Sequence, residues 1–238
     1  MSWLHRLFRP HVELDPKVAR RVDAWRALAP DHGRAPLLQQ RFVVLDTETS
    51  GLDPRRDRPL ALAAVEVIGG RIRAGGIARV LRQAQPNSVD NILVHGITPT
   101  AQAAGVSIET ALLEFLEFAG KAPLVAFHAA FDREVLARAC RETLGVLLAN
   151  PWLDVAALAQ VLAPEAVNAR VDLDALLAHF GIATGERHRA ASDARATAEL
   201  FLVLLARSRE RRIDTLSALQ ARAERQHVNG AGRGMAAP

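Results

Sequence analysis

The chain has 238 residues, of which half are hydrophobic and 24% charged, so fibrous, disordered and disulfide-rich classes are excluded. Its formal net charge of +4 permits an anionic partner such as nucleic acid without identifying one. The single cysteine, Cys140, excludes an intrachain disulfide and fits a reducing cytoplasm. We find no signal peptide and no apolar run near the roughly 18 residues of a membrane span. We therefore expect a cytoplasmic protein without membrane contact.

Turn-forming and charged stretches divide the chain into three predicted parts. Residues 1–40 are predicted to form an N-terminal helical arm, residues 41–206 the main domain, and residues 207–238 a basic helix end with a flexible tail. In the arm, Asp15-Pro16 is a typical helix start, and apolar residues follow on one helical face. We expect this helix to pack on the main domain; docking of a partner is the alternative.

The main domain combines strands and helices. Short β-prone apolar runs predict strands, the Gly69-Gly70 pair predicts a hairpin, and apolar spacings of three and four residues predict helices. Several strands are followed by a helix, a strand and then mostly helices, an order typical of an α/β fold with a mixed sheet. The predicted strands are 42–45, 60–68, 72–81 and 124–127, and the predicted helices are 107–119, 131–144, 154–162, 171–181 and 190–206.

Three segments of the main domain carry carboxylates at the ends of predicted strands or helices. Asp46 and Glu48 follow the first strand, and residues two apart in a strand point to the same side. Asp132 falls in the first turn of a helix, where the helix dipole favours a carboxylate. His188 precedes the last long helix, and Asp193 lies in its first turns. Each segment alone has an ordinary interpretation as solvated acids, a helix cap or a chance spacing.

Taken together, the segments indicate a metal site. Four ionised carboxylates in one poorly solvated cleft would repel each other strongly, and two divalent cations would neutralise them formally. The ligand atoms are all oxygen, and the sequence has no cluster of cysteine and histidine of the zinc type. We therefore expect hard ions, two Mg²⁺ or Mn²⁺.

The same segments resemble the motifs of the DEDDh (DnaQ-like) family of 3′-to-5′ exonucleases, which includes the proofreading epsilon subunit of bacterial DNA polymerase III. Residues 45–51, LDTETSG, match the first motif, and residues 128–132, HAAFD, the second. His188 and Asp193 have the spacing of the third motif, and residues 94–98, VHGIT, match an intervening segment. The sister family has tyrosine in place of this histidine, and the chain contains no tyrosine.

The resemblance implies a ribonuclease H-like mixed β-sheet flanked by helices, and hydrolysis of single-stranded or frayed DNA from its 3′ end to nucleoside 5′-monophosphates. It implies that four carboxylates hold the ions, with His188 as the general base. Those four are Asp46, Glu48, Asp132 and Asp193. The residues that it places near the 3′-terminal nucleotide are Thr49, Gly51, Leu52, Val94, His95 and Phe131. A DNA polymerase subunit is a candidate partner, in proofreading or repair.

Several alternatives stay open. Phe131 could be plain helix core, and His95 could cap the turn at Gly96. The substrate could be RNA, as for exonucleases of the oligoribonuclease or RNase T kind, or the chain could be a non-catalytic nucleic-acid-binding subunit. Three arginines next to the motifs are candidates for phosphate contact or for solvated surface: Arg133, Arg187 and Arg189.

Overall fold

The computed structural model describes residues 12–30, 35–83, 89–167, 171–183 and 185–233. The strands are β1 (Phe42–Thr49), β2 (Pro59–Ile68), β3 (Arg71–Ile72), β4 (Ile77–Val80), β5 (Leu124–Ala126) and β6 (Trp152–Asp154). The helices are α1 (Pro16–Ala27), α2 (Val89–His95), α3 (Pro99–Ala104), α4 (Ile108–Ala119), α5 (Ala130–Leu144), α6 (Val155–Leu162), α7 (Leu173–His179), α8 (Ala190–Glu210) and α9 (Leu216–Arg233).

The strands form one mixed sheet in the order β3-β2-β1-β5-β6, and β4 also pairs with β2. β1 is antiparallel to β2, whereas β1, β5 and β6 run parallel to one another. The carboxyl ends of these parallel strands therefore meet at one edge of the sheet, where open α/β sheets tend to place ligand sites. The predicted mixed sheet flanked by helices is confirmed.

Both faces of the sheet are covered, and β1 shows how. Phe42 and Val44 are buried against α6, α7, α8 and α9, whereas Val43 and Leu45 are buried against α1, α4 and α5. Successive side chains of a strand point to opposite faces, so a run that is apolar at every position fits a strand buried on both sides. The alternation continues past Leu45 and determines towards which face of the sheet each following side chain of β1 points.

The first strand is longer than predicted. β1 runs to Thr49 rather than ending at Leu45, because Thr47, Glu48 and their neighbours keep their pairing with β2 up to an irregularity between Glu48 and Thr49. The carboxylates of Asp46 and Glu48 thus lie on a regular strand and not on a loop. The predicted hairpin is confirmed at Gly69 and Gly70, both with positive φ.

The predicted strand 72–81 is split in two. β3 ends at Ile72 and β4 begins at Ile77, because the chain bends away from β2 at Gly75 and Gly76. The predicted helix starts are confirmed, with Ser107, Asp154 and Asp172 each accepting a hydrogen bond from a backbone N–H of the following helix. Sequence analysis missed the short elements α2, α3 and β6.

α1 packs on the main domain, as expected. Asp15 caps it by accepting a hydrogen bond from the backbone N–H of Lys17, and Val22 and Trp25 are buried against α4. The Trp25 indole donates to the carbonyl oxygen of Gly120 over 2.9 Å. Residues 1–11 of the predicted arm lie outside the described residues.

Residues 207–238 were predicted to hold a basic helix end and a flexible tail, and the helix α9 within them was not predicted. α8 continues to Glu210, and α9 then packs on α6 and β6. Leu216, Leu219 and Ala223 are buried there, since they recur at helical spacing and present an apolar face to the core. Across the described part of the chain, no helix is both long and apolar enough to cross a membrane.

Candidate active site

Three of the predicted carboxylates converge at the end of β1. Asp46 and Glu48 extend from the same face of the strand as Val44, and α8 crosses β1 on that face. Asp193 lies in the first turn of α8 and is buried. One carboxylate oxygen from each residue lies within 4.8 Å of those of the other two. These residues, which we call the carboxylate cluster, offer oxygen ligands of the kind that hard divalent cations prefer.

The fourth predicted carboxylate, Asp132, lies beside this cluster and not within it. It sits in the first turn of α5 and is only 5% exposed. Its Oδ1 accepts a hydrogen bond of 2.7 Å from the hydroxyl of Thr47, which lies between Asp46 and Glu48 in β1. Because strand side chains alternate, Thr47 faces α5 while its two neighbours face α8. Carboxylates therefore lie on both faces of β1: Asp46 and Glu48 on one, and Asp132, bonded to Thr47, on the other.

The electrostatics of these carboxylates are unfavourable in the absence of a cation. Burial raises the pKa of Asp46 well above its usual range, and the charges of Asp132, Glu48 and Asp193 raise it further. Burial, together with Asp193 and Asp132, raises the pKa of Glu48 to about 7. The pKa of Asp132 is also raised by burial, although the Thr47 hydroxyl opposes the shift. A divalent cation would relieve this repulsion, so the residues present fit a metal site.

Asp193 already has a cationic partner. The guanidinium of Arg187 donates to Asp193 Oδ1 through Nη1 and to Asp174 Oδ1 through Nε. The second oxygen of Asp193 accepts a hydrogen bond of 3.0 Å from the backbone N–H of His188. The loop that precedes α8 is thus fastened to the cluster by its main chain and by Arg187.

His188 lies on this loop with an exposed side chain and a positive φ of 59°. Its backbone bond to Asp193 keeps it next to the cluster, while its ring faces solvent. An exposed imidazole beside a group of carboxylates is a candidate general acid or base.

The residues predicted to contact the 3′-terminal nucleotide begin at the end of β1. The Thr49 hydroxyl donates to the carbonyl oxygen of Gly51 over 2.6 Å, and a Cβ at Gly51 would lie 2.5 Å from a carboxylate oxygen of Asp57. A larger residue at position 51 would force the Asp57 carboxylate to shift. Leu52 follows with 92% of its surface exposed, unusual for a leucine. The backbone of this loop is held by Arg138 of α5, which donates to the carbonyl oxygens of Pro54 and Asp57.

Val94 and His95, the other predicted contact residues in sequence order, end α2. Val94 is 56% exposed, whereas His95 is buried and its Nδ1 accepts a hydrogen bond of 3.0 Å from the backbone N–H of Ile97. This bond favours the alternative in which His95 stabilises the turn at Gly96. A Cβ at Gly96 would lie 3.6 Å from Arg189, so this turn adjoins the loop that carries His188.

The remaining candidates occupy separate places. Phe131 is half-buried in the first turn of α5. Arg133 lines a cavity of about 280 Å³ between the start of α5, the end of β6 and α9. Arg189 pairs with Glu186 at the surface. Of the three arginines proposed for phosphate contact, Arg187 alone is bonded to a residue of the carboxylate cluster.

The contacts that Thr47 and Asp174 make in the site were not predicted from the sequence. The direction of the Thr47 side chain could have been predicted, because a residue between two acids of a strand points to the opposite face from both of them. Asp174 and the pairing of Arg187 left no signal, since they depend on how α7 and α8 meet.

Comparisons with known proteins find similarity to exonucleases. The sequence model of an exonuclease family, RNase_T, matches residues 43–201. A DNA polymerase III subunit epsilon-like protein of Rhodobacter capsulatus is 39% identical over 77% of this chain, and a PolC-type DNA polymerase III of Thermotoga maritima is 34% identical over 68%. The matches span only 26% and 12% of those proteins.

Solved structures show the same architecture. Exonuclease X in complex with 5′ overhanging duplex DNA is 27% identical, with a TM-score of 0.57 over 70% of this chain and 92% of that one. Exonuclease I of E. coli in complex with a dT13 oligonucleotide has a TM-score of 0.62 at 20% identity, over 72% of this chain and 42% of that one. The predicted ribonuclease H-like fold is confirmed.

Proposed function

Since the chain belongs to the exonuclease family whose sequence model matches residues 43–201, we propose that it hydrolyses single-stranded or frayed DNA from the 3′ end to nucleoside 5′-monophosphates. The observation that carries the proposal is the convergence of Asp46, Glu48 and Asp193 within 4.8 Å. The family resemblance of their motifs supports the direction of hydrolysis, and the DNA-bound exonuclease X structure supports DNA as the substrate of a related protein.

The carboxylates would hold two Mg²⁺ or Mn²⁺ ions. The cluster of Asp46, Glu48 and Asp193 would hold one, and Asp132, which interacts electrostatically with Asp46, would support the other. All of these ligands are hard oxygen donors. When bound, such ions offset the carboxylate charge, lower the pKa of water and stabilise the leaving oxygen.

His188 would accept the proton of the attacking water. Its exposed ring lies on a loop that is bonded to Asp193, so the base stays beside the cluster and open to the substrate. Thr47 has a supporting role, because its hydroxyl donates to Asp132 and fixes the orientation of this carboxylate. Together these contacts hold the reacting groups before the substrate arrives, which lowers the entropic cost of the reaction.

The 3′-terminal nucleotide would lie against the loop after β1. Leu52 offers an exposed apolar surface, and stacking on such a surface tolerates any base. Thr49 and Gly51 shape the loop beneath it. By family resemblance, the exposed Val94 and the half-buried Phe131 would add further contacts. We assign His95 to the turn that presents Val94, because its ring is turned inward to Ile97.

A DNA polymerase subunit is the partner that we propose. The epsilon-like protein and the PolC-type polymerase are named for DNA polymerase III, and the matches span 26% and 12% of their lengths. A nuclease that trims mismatched 3′ ends would then act in proofreading or repair.

RNA is the second candidate substrate, because the matching family carries the name RNase_T. The same carboxylates would serve either polymer. The choice between them depends on how the site receives the 2′-hydroxyl, which only RNA carries.

The proposal is tested by digestion in Mn²⁺ of a 5′-labelled primer with a mismatched 3′ end, annealed to its template, beside a single-stranded RNA of the primer's sequence. We expect stepwise shortening of the DNA to mononucleotides by the wild type and its loss in His188→Ala. His179→Ala, which removes an exposed imidazole from α7, is the matched control and should remain active. Shortening of RNA alone would assign the protein to RNA turnover, and failure to degrade either polymer would contradict the nuclease proposal.

A further inference from the structure

Arg187 is the cation nearest to the carboxylate cluster that the proposed reaction does not use. We infer that Arg187 is a built-in counter-cation of this cluster, which competes with a divalent ion for Asp193 and is retained by Asp174 when the ion displaces it. The inference rests on the proposed function, since it concerns the same metal site.

The two partners of Arg187 differ in burial. The side chain of Asp193 is 9% exposed, that of Arg187 is 21% exposed, and that of Asp174 is 59% exposed. Arg187 therefore spans from the inner wall of the site to its rim. A guanidinium suits this task, because its planar fork donates to two carboxylates at once.

Both carboxylate oxygens of Asp193 accept hydrogen bonds. Oδ1 accepts from Arg187 and Oδ2 from the backbone N–H of His188. A divalent cation that binds Asp193 through Oδ1 must take the place of the guanidinium. Because arginine keeps its charge at any accessible pH, it leaves as a cation and still repels the ion from nearby.

The charge of Arg187 acts on the whole cluster and not on Asp193 alone. Its guanidinium is bonded to Asp193, and one carboxylate oxygen of Asp193 lies within 4.8 Å of those of Asp46 and Glu48. A counter-cation in this position lets acidic side chains stay close together without a metal ion. The expected consequence is a linkage in which loading of the ion weakens the contact between Arg187 and Asp193.

Neighbouring arginines provide the contrast. Arg195 lies two residues after Asp193 in α8, yet it pairs with Glu199 and is 66% exposed. Arg189 pairs with Glu186 and is 55% exposed. Removal of the charge of Arg195 therefore controls for a general change of net charge near the start of α8.

The test is the dissociation constant of Mn²⁺ without nucleic acid, measured by isothermal titration calorimetry. The proteins are the wild type, Arg187→Gln, Asp174→Asn and the control Arg195→Gln. We expect Arg187→Gln to bind Mn²⁺ about tenfold more tightly, within the usual range of coupling between two sites. Asp174→Asn should bind Mn²⁺ more weakly, because Arg187 then has no second carboxylate to hold it away from Asp193. Arg195→Gln should match the wild type.

The opposite signs separate this mechanism from damage to the fold, since a disordered site would bind Mn²⁺ more weakly in both variants. An unchanged or weaker affinity in Arg187→Gln, with Mn²⁺ bound by the wild type, would overturn the counter-cation and leave the proposed function intact. Failure of the wild type to bind Mn²⁺ at millimolar concentration would overturn both.

A second readout keeps the inference testable if Arg187→Gln does not fold. The side-chain Nε–H signal of Arg187 can be followed by NMR in the wild-type protein and assigned by its loss in Arg187→Lys. Addition of Mg²⁺ should shift this signal, while that of Arg195 stays in place. A signal of Arg187 that does not respond to saturating Mg²⁺ would contradict displacement.

Discussion

Acidic side chains have opposite surroundings in two regions of the molecule. One region is the contact between α1 and α4, and the other is the carboxylate cluster. At the first, Glu117 receives two hydrogen bonds from Arg21, and this pairing lowers the pKa of Glu117. At the second, burial and repulsion raise the pKa of Glu48 to about 7. The first arrangement stabilises the folded chain without a ligand. The second holds charge in an unfavourable place, as is typical of sites built for binding or chemistry.

Residues at the α1–α4 contact stabilise the fold, whereas residues of the carboxylate cluster form a site for binding a cation. α1 is attached by the buried Trp25, by its indole bond to Gly120 and by Lys121 over its ring. None of these contacts needs an ion. The carboxylate cluster keeps a repulsion that a divalent cation would relieve, so substitutions in the two regions should have opposite effects on stability.

The largest effect is expected at Asp46. Asp46→Asn keeps the shape of the side chain and removes a ligand of the proposed ions, which supply several kcal/mol of charge stabilisation in the transition state. At 1.36 kcal/mol per tenfold, the rate of hydrolysis should fall by roughly a thousandfold or more. The melting temperature of the ion-free protein should rise, because a buried repulsive charge is gone. Retained turnover, or a lower melting temperature without metal, would contradict this account.

The next effect concerns the pH dependence of stability. Because the pKa of folded Glu48 is about 7, above the value near 4.5 in an unfolded chain, the folded state binds more protons over this interval. The free energy of unfolding of the ion-free protein should therefore fall as the pH rises from about 4.5 to about 7. Glu48→Gln should remove this contribution, roughly 2 kcal/mol after allowance for solvent screening.

The measurement is urea unfolding in EDTA at several pH values, with the wild type and Glu48→Gln compared at each. A constant difference between the two proteins across this range would refute the raised pKa. With saturating Mn²⁺ the wild type should instead gain stability as the pH rises, because the metal binds the deprotonated carboxylates.

A smaller effect is expected at Thr47. Thr47→Val keeps the shape of the residue and removes the hydroxyl that donates to Asp132, so this buried carboxylate loses a partner. We expect a fall of about tenfold in kcat with little change in KM, and a loss of about 1–2 kcal/mol in stability. Thr197→Val on α8 is the matched control, because the buried Thr197 hydroxyl has no hydrogen-bond partner among the described residues. Equal behaviour of the two variants would argue against a role for the Thr47 hydroxyl.

The smallest effect is expected at the surface pair of α1. Arg21→Gln removes an ion pair whose side chains are 46% and 43% exposed, so stability should fall by less than about 1 kcal/mol and less still in high salt. Exonuclease activity should not change. A loss of activity would mean that α1 influences the site, and the separation of the two regions would fail.

The strand pattern carries most of what is predictable from sequence. The apolar run at the start of β1 predicts a doubly buried strand, and its alternation places Asp46 and Glu48 on one side together. The predicted boundary at Leu45 is wrong because a polar residue can continue a strand whose pairing is complete. β6 escaped prediction because its three residues run directly into α6, which was predicted to begin at residue 154.

The hydrogen bonds between side chains of the site could not be predicted from the sequence, for another reason. Arg187 is near Asp193 in the chain, but its bond to Asp174 requires α7 and α8 to meet at one angle. His95 shows another limit, because the motif predicts a substrate contact but does not reveal that the side chain is buried and bonded to the backbone N–H of Ile97. Spacing along a chain names candidate residues, whereas the direction of each side chain is decided by tertiary packing.

The topology of the sheet also orders events during synthesis. β1 and β2 are joined by a short connection and pair along eight residues, so they can associate while the chain is still being translated. Asp132 and Asp193 come from later segments, and the last of them arrives only with α8. A nascent chain that carries the β1–β2 ribbon but lacks α8 holds Asp46 and Glu48 without their third partner. The nascent chain therefore lacks the complete ion-binding cluster until α8 has been synthesised and has packed across β1.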